Sequence, residues 1–190
     1  MNIANKLVVS RVLLALVFMI FFYIPNFYTN IFALIIFILA SISDTLDGYL
    51  ARKNKFVTDF GKIFDSVADK ILLVVVVLAL VEKDILPSWL VSLMLFREFA
   101  VTGIRVFAAK KNWKISAKMP GKVKFTFQTF MIFYALLYFL NSEYFEIENL
   151  SLIFSYTGVL VLAWISLFLS YYSGFYYLFK YKDLWKKAEL

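Results

Sequence analysis

The chain has 190 residues, 63% of them hydrophobic and 20% aromatic, with a mean hydropathy of +0.80. No soluble domain of this length buries so much apolar surface, so an integral membrane protein is expected. With no cysteine and no histidine, disulfides, thiol nucleophiles and imidazole chemistry are excluded, and the net charge of +7 suits anionic lipid headgroups or phosphorylated substrates.

Six apolar spans follow one another. Met1–Ser10 leads into Arg11 and the run Val12–Ile24, a retained first helix ending near Pro25, because no small-residue cleavage site follows it. Ile31–Arg52 is the second predicted helix, Gly61–Val81 the third, Pro87–Ala109 the fourth, Gly121–Leu140 the fifth, and Leu150 to about Phe179 the sixth. No repeat, linker or second domain is visible, so residues 1–190 are expected to form one all-α bundle of six transmembrane helices. All but two of the 20 basic residues, Lys83 and Arg97, fall at one end of these spans. The excess of positive charge in cytoplasmic loops puts both termini and the 44–69 region on the cytoplasmic side of the cell membrane.

The stretch 44–69 interrupts this pattern. Asp44 and Asp47 lie three apart, Asp65 and Asp69 four apart, so each pair projects from one side of its own helix. Asp44, Asp47, Gly48, Ala51 and Arg52 fall within an arc of about 140°, and Gly61, Asp65 and Asp69 within about 80°. The uninterrupted apolar parts of these two helices, Ile31–Ile42 and Ile71–Val81, cover only about 16–18 Å of a core about 30 Å thick. The aspartates are therefore drawn into the cytoplasmic part of the membrane, where unpaired charge is costly and usually functional. Two such faces turned toward each other make a four-carboxylate pocket suited to a hard divalent cation.

The pattern D-x2-D-G-x2-A-R-x8-G-x3-D-x3-D is matched in full by Asp44, Asp47, Gly48, Ala51, Arg52, Gly61, Asp65 and Asp69. Eight fixed positions arise by chance on the order of once in 10¹⁰ starts. The stretch resembles the signature of the CDP-alcohol phosphatidyltransferases, membrane-embedded and usually homodimeric enzymes that move a phosphatidyl group from CDP-diacylglycerol to an alcohol and release CMP. The resemblance implies that Asp44, Asp47, Asp65 and Asp69 hold one or two Mg2+ or Mn2+ ions, two being expected per active site, and that Asp69 is also the candidate general base. It implies that Gly48, Ala51 and Gly61 leave room for the CDP moiety and that Arg52 pairs with a diphosphate oxygen.

The acceptor has to be read elsewhere. Arg97 and Arg105, on the fourth predicted helix with Glu98 between them, lie about 80° apart on one side. Lys122 and Lys124 open the fifth in GKVK after Pro120, where helix N-terminal amides also favour phosphate. This basic set suits an acceptor that carries a phosphate. The segments REFAVTGIR, GKVK-x3-Q and N-I-x-N-x5-R resemble the phosphatidylglycerophosphate synthases within the family, which condense sn-glycerol 3-phosphate with CDP-diacylglycerol. Phe125 stands where a threonine commonly follows the second lysine, and is expected to border the acceptor or nucleotide pocket. Other acceptors, as in cardiolipin synthases or inositol-type relatives, are alternatives within the family, and a divalent-cation transporter is an alternative outside it. Membrane lipids are the expected surroundings, and no nucleic-acid partner is expected.

Overall fold

The computed structural model describes residues 3–50, 59–110, 119–145 and 153–181, with side chains for 9–43, 70–108, 119–145 and 153–181. Among the described residues there are six long helices and no strand: α1 (Ile3–Tyr23), α2 (Phe27–Leu50), α3 (Asp59–Glu82), α4 (Ser88–Lys110), α5 (Met119–Leu140) and α6 (Tyr156–Lys180). A π-helical turn, Asn141–Phe145, continues α5. With that turn, α5 is long and apolar enough to cross a membrane, as is α6; α1 and α2 carry shorter apolar stretches, Val9–Tyr23 and Phe27–Ser43.

The helix limits follow from local chemistry. α2 begins at Phe27 rather than Ile31 because Asn26 caps it, its Oδ1 accepting the Tyr28 N–H at 2.9 Å. α6 begins at Tyr156 rather than Leu150: Phe154 and Ser155 are not helical, and Ser155 Oγ accepts the Gly158 N–H at 3.0 Å as the cap. α1 reaches back to Ile3, through residues that composition alone assigns to a short lead-in segment. α3 ends in a left-handed residue, Asp84 (φ 55°), where the Ile85 N–H bonds Leu80 O and the Asp84 N–H bonds Val81 O, both at 3.0 Å. This is the paired closure that usually uses glycine, and it buries Ile85 before Pro87 opens the next helix.

α1 packs along both α2 and α3, α5 along α6, and α4 against α6 and α3; α5 also touches α2 and α3. The core between them is apolar, with Phe18 and Phe22 of α1, Val76 and Leu80 of α3, Met131 of α5 and Ala163 of α6 all fully buried. The outward surface is equally apolar: Phe32 and Leu39 on α2, Phe96 and Phe99 on α4, and Phe168, Phe175 and Phe179 on α6 are exposed. A surface of this kind is stable against lipid and not against water. The two ends of the bundle differ. One end joins Asn30 of α2 to Tyr144 of the π turn by a 2.6 Å hydrogen bond. The other gathers charged and polar groups from α1, α2, α4, α5 and α6, and holds the candidate site.

Candidate active site

Asp44, Asp47 and Gly48 lie in the last two turns of α2, and Gly61, Asp65 and Asp69 in the first three turns of α3, so both halves of the carboxylate motif are helical as their spacing requires. Ala51 and Arg52 lie outside the described residues, as do the side chains of the four aspartates. Both helices pack on α1, which holds their polar ends at one end of the bundle. Four aspartates on two helical segments are a hard-oxygen donor set, the chemistry that Mg2+ and Mn2+ prefer, so the residues present fit the implied ions.

The basic half is described in full. On α4, Arg97 and Glu98 are 7% and 8% exposed, and on α5 Lys124 is 5% exposed. The Glu98 carboxylate accepts from Arg97 Nη1 at 3.2 Å and pairs through the same oxygen with Lys124. One carboxylate thus serves two buried cations on neighbouring helices. Two turns along α4, Arg105 donates from Nη2 to the Tyr177 hydroxyl of α6 at 2.6 Å, and its guanidinium carbon sits 4.6 Å from that ring's centroid. α5, which carries Lys124, touches α3, the helix that carries Asp65 and Asp69.

Arg97 and Lys124, both buried, and the half-buried Arg105 stand beside a single carboxylate, and positive charge in such a place is expensive unless an anion joins it. The Nε atoms of Arg97 and Arg105 are buried and have no hydrogen-bond partner among the described residues; neither has Gln128 Oε1, one turn along α5 from Lys124. The guanidinium N–H groups not used by Glu98 or Tyr177 are the kind of donor that seats a phosphate. Lys122 is exposed and joins no ion pair among the described residues.

Beside the cluster, an apolar groove of about 550 Å³ runs between α2 and α5 and opens onto the outer surface. Phe37, Ile38, Ser41 and Ile42 form one wall; Phe125, Thr126, Thr129, Phe130 and Phe133 form the other. A smaller cavity of about 30 Å³ behind it is lined in part by Arg11 and Leu72. The groove's walls end where the charged groups begin, since Ile42 precedes Asp44 by two residues and Phe125 follows Lys124.

Sequence reasoning grouped Arg97, Arg105, Lys122 and Lys124 as one basic set; the structure pairs Arg97 and Lys124 through Glu98, sets Arg105 against Tyr177 and leaves Lys122 exposed. It missed Tyr177 and the groove residues other than Phe125. A signal for Tyr177 did exist. Ser166, Ser170, Ser173, Gly174 and Tyr177 recur at helical spacing along the buried side of an otherwise apolar α6.

The family model for CDP-alcohol phosphatidyltransferase matches residues 1–172. A protein of Bacillus subtilis named CDP-diacylglycerol–glycerol-3-phosphate 3-phosphatidyltransferase is 33% identical over 191 residues, covering 94% of each chain. Proteins of the same name from Rickettsia felis and Rickettsia typhi are 37% and 36% identical over 177 residues, covering 93% of this chain and 93% and 94% of theirs. A signature matched at all eight positions, a family model spanning most of the sequence and relatives aligned nearly end to end agree: the chain belongs to the CDP-alcohol phosphatidyltransferase family.

Proposed function

We propose that this protein transfers the phosphatidyl group of CDP-diacylglycerol to sn-glycerol 3-phosphate, giving phosphatidylglycerol phosphate and CMP for phospholipid synthesis. The observation that carries the choice of acceptor is the buried Arg97–Glu98–Lys124 cluster with Arg105 beside it. Its basic groups outnumber its one carboxylate, which suits a phosphate monoester, whereas a neutral alcohol would bring no balancing charge. The names of the similar bacterial proteins support the same acceptor.

Asp44, Asp47, Asp65 and Asp69 would hold the divalent cations, two per site. Bound there, these ions neutralise the diphosphate and the charge on the departing CMP. The chain's own residues do the rest. Gly48, Ala51 and Gly61 leave space for the nucleotide, and Arg52 pairs with a diphosphate oxygen. The groove between α2 and α5 takes an acyl chain, which places the diphosphate where the apolar walls give way to charge. Arg97, Arg105 and Lys124 grip the acceptor's phosphate, with Lys122 at the rim, so that its primary hydroxyl faces the lipid-bearing phosphorus. Asp69 takes the hydroxyl proton as the new O–P bond forms and the bond to CMP breaks. No serine or cysteine nucleophile belongs to the motif, which favours one displacement without a covalent enzyme intermediate.

The protein is one membrane domain, a homodimer in the cytoplasmic membrane, with both termini and the site facing the cytoplasm. The test is to supply purified protein with CDP-diacylglycerol and Mg2+ and follow CMP with glycerol 3-phosphate, inositol phosphate or phosphatidylglycerol as acceptor. Release with glycerol 3-phosphate alone is expected and should stop on chelation; release with either other acceptor alone overturns the assignment.

A further inference from the structure

α6 carries none of the signature residues, yet it closes the acceptor side of the site. Tyr177 is 3% exposed, and its hydroxyl accepts from Arg105 Nη2 at 2.6 Å while its ring lies under the guanidinium. It also reaches α5: a Cβ built at Gly121 would stand 3.4 Å from the Tyr177 hydroxyl and 3.8 Å from Ser173 Oγ. One turn earlier, Gly174 is the seat of Arg97, for a Cβ there would stand 3.2 Å from Arg97 Nε. Tyr177 therefore ties together the second arginine of α4 and the start of the GKVK segment of α5.

We propose that Tyr177 is a positioning residue for the acceptor's phosphate: it fixes one edge of the Arg105 guanidinium and so presents the remaining N–H groups to the anion. A guanidinium held at one edge by a hydrogen bond and on one face by a ring has lost most of its rotamer freedom before the substrate arrives, which is how a flexible arginine becomes a directional ligand. Gly174 does the corresponding work for Arg97 by leaving the space that its side chain fills. This role rests on the reading of Arg97 and Arg105 as acceptor ligands.

The test compares wild type with Tyr177→Phe, which keeps the ring and loses the hydroxyl, and with Tyr172→Phe, a change on the exposed face of the same helix, as control. In Tyr177→Phe the KM for glycerol 3-phosphate should rise about tenfold, the KM for CDP-diacylglycerol should move by less than about twofold, and the fall in kcat should be smaller than the rise in KM. Tyr177→Leu, which also removes the ring, should raise the same KM further. A second readout needs no turnover: with no acceptor present, phenylglyoxal should modify Arg105 faster in Tyr177→Phe than in wild type, as measured on the peptide by mass spectrometry. An unchanged labelling rate at Arg105, or an equal rise in both KM values, overturns the proposal. Absence of CMP release by wild type with glycerol 3-phosphate would instead overturn the acceptor assignment, and the labelling rate would still decide the role of Tyr177.

Discussion

Glu98 is a buried carboxylate whose one oxygen serves Arg97 and Lys124 together, and its removal is the most sensitive single change in the basic cluster. Glu98→Ala leaves two cations buried without their partner and should destabilise the protein by about 3–5 kcal/mol, read as a lower unfolding temperature in detergent. Pairing it with Lys124→Met should restore much of that stability while leaving the KM for glycerol 3-phosphate raised, because the lost cation is a ligand as well as a partner. On the carboxylate side, Asp65→Asn removes a charge that the motif places among three others. It should lower CMP release by more than about 100-fold. Spacing singled out the aspartates in the sequence as two pairs on helices, and the backbone does place them on α2 and α3. The pairing of Arg97 with Lys124 through Glu98 was not legible, since it depends on how α4 and α5 pack, and neither was Tyr177, whose partner lies 72 residues away.

Six apolar spans could be counted in the sequence, and six long helices stand among the described residues. Their starts were less legible, because a cap outweighs an apolar pattern. Asn26 starts α2 four residues early, and Ser155 delays α6 to Tyr156. The entry to α6 is also fixed by Tyr134, whose hydroxyl donates to Ile153 O at 2.6 Å and accepts from the Ser155 N–H at 3.2 Å. Gly158 lies against that hydroxyl so closely that a Cβ would collide with it. Gly158→Ala should therefore cost about 1–3 kcal/mol in thermal unfolding despite the better helix propensity of alanine. The opposite sign is expected at the end of α3. Asp84 occupies a left-handed conformation without the glycine that suits it, so Asp84→Gly should keep the fold and raise stability by about 0.5–1 kcal/mol.

Among the described residues, apolar side chains cover the outside as well as the core, and the buried charged groups, Arg11, Arg97, Glu98 and Lys124, gather toward one end. The groove between α2 and α5 connects these two environments, running from the lipid-facing surface to the charged end. Filling it with Thr129→Trp should raise the KM for CDP-diacylglycerol about tenfold and leave that for glycerol 3-phosphate nearly unchanged. The sequence could not show the groove, because its walls come from helices that are neighbours only after packing. The central claim is that aspartates from two different helices, α2 and α3, share the same divalent ions. Mn2+ binding to the purified protein, followed by electron paramagnetic resonance in wild type, Asp44→Asn and Asp65→Asn, tests it most directly. The account predicts bound Mn2+ in wild type and its loss when either helix is changed; Mn2+ bound with undiminished affinity and stoichiometry in either variant would contradict it.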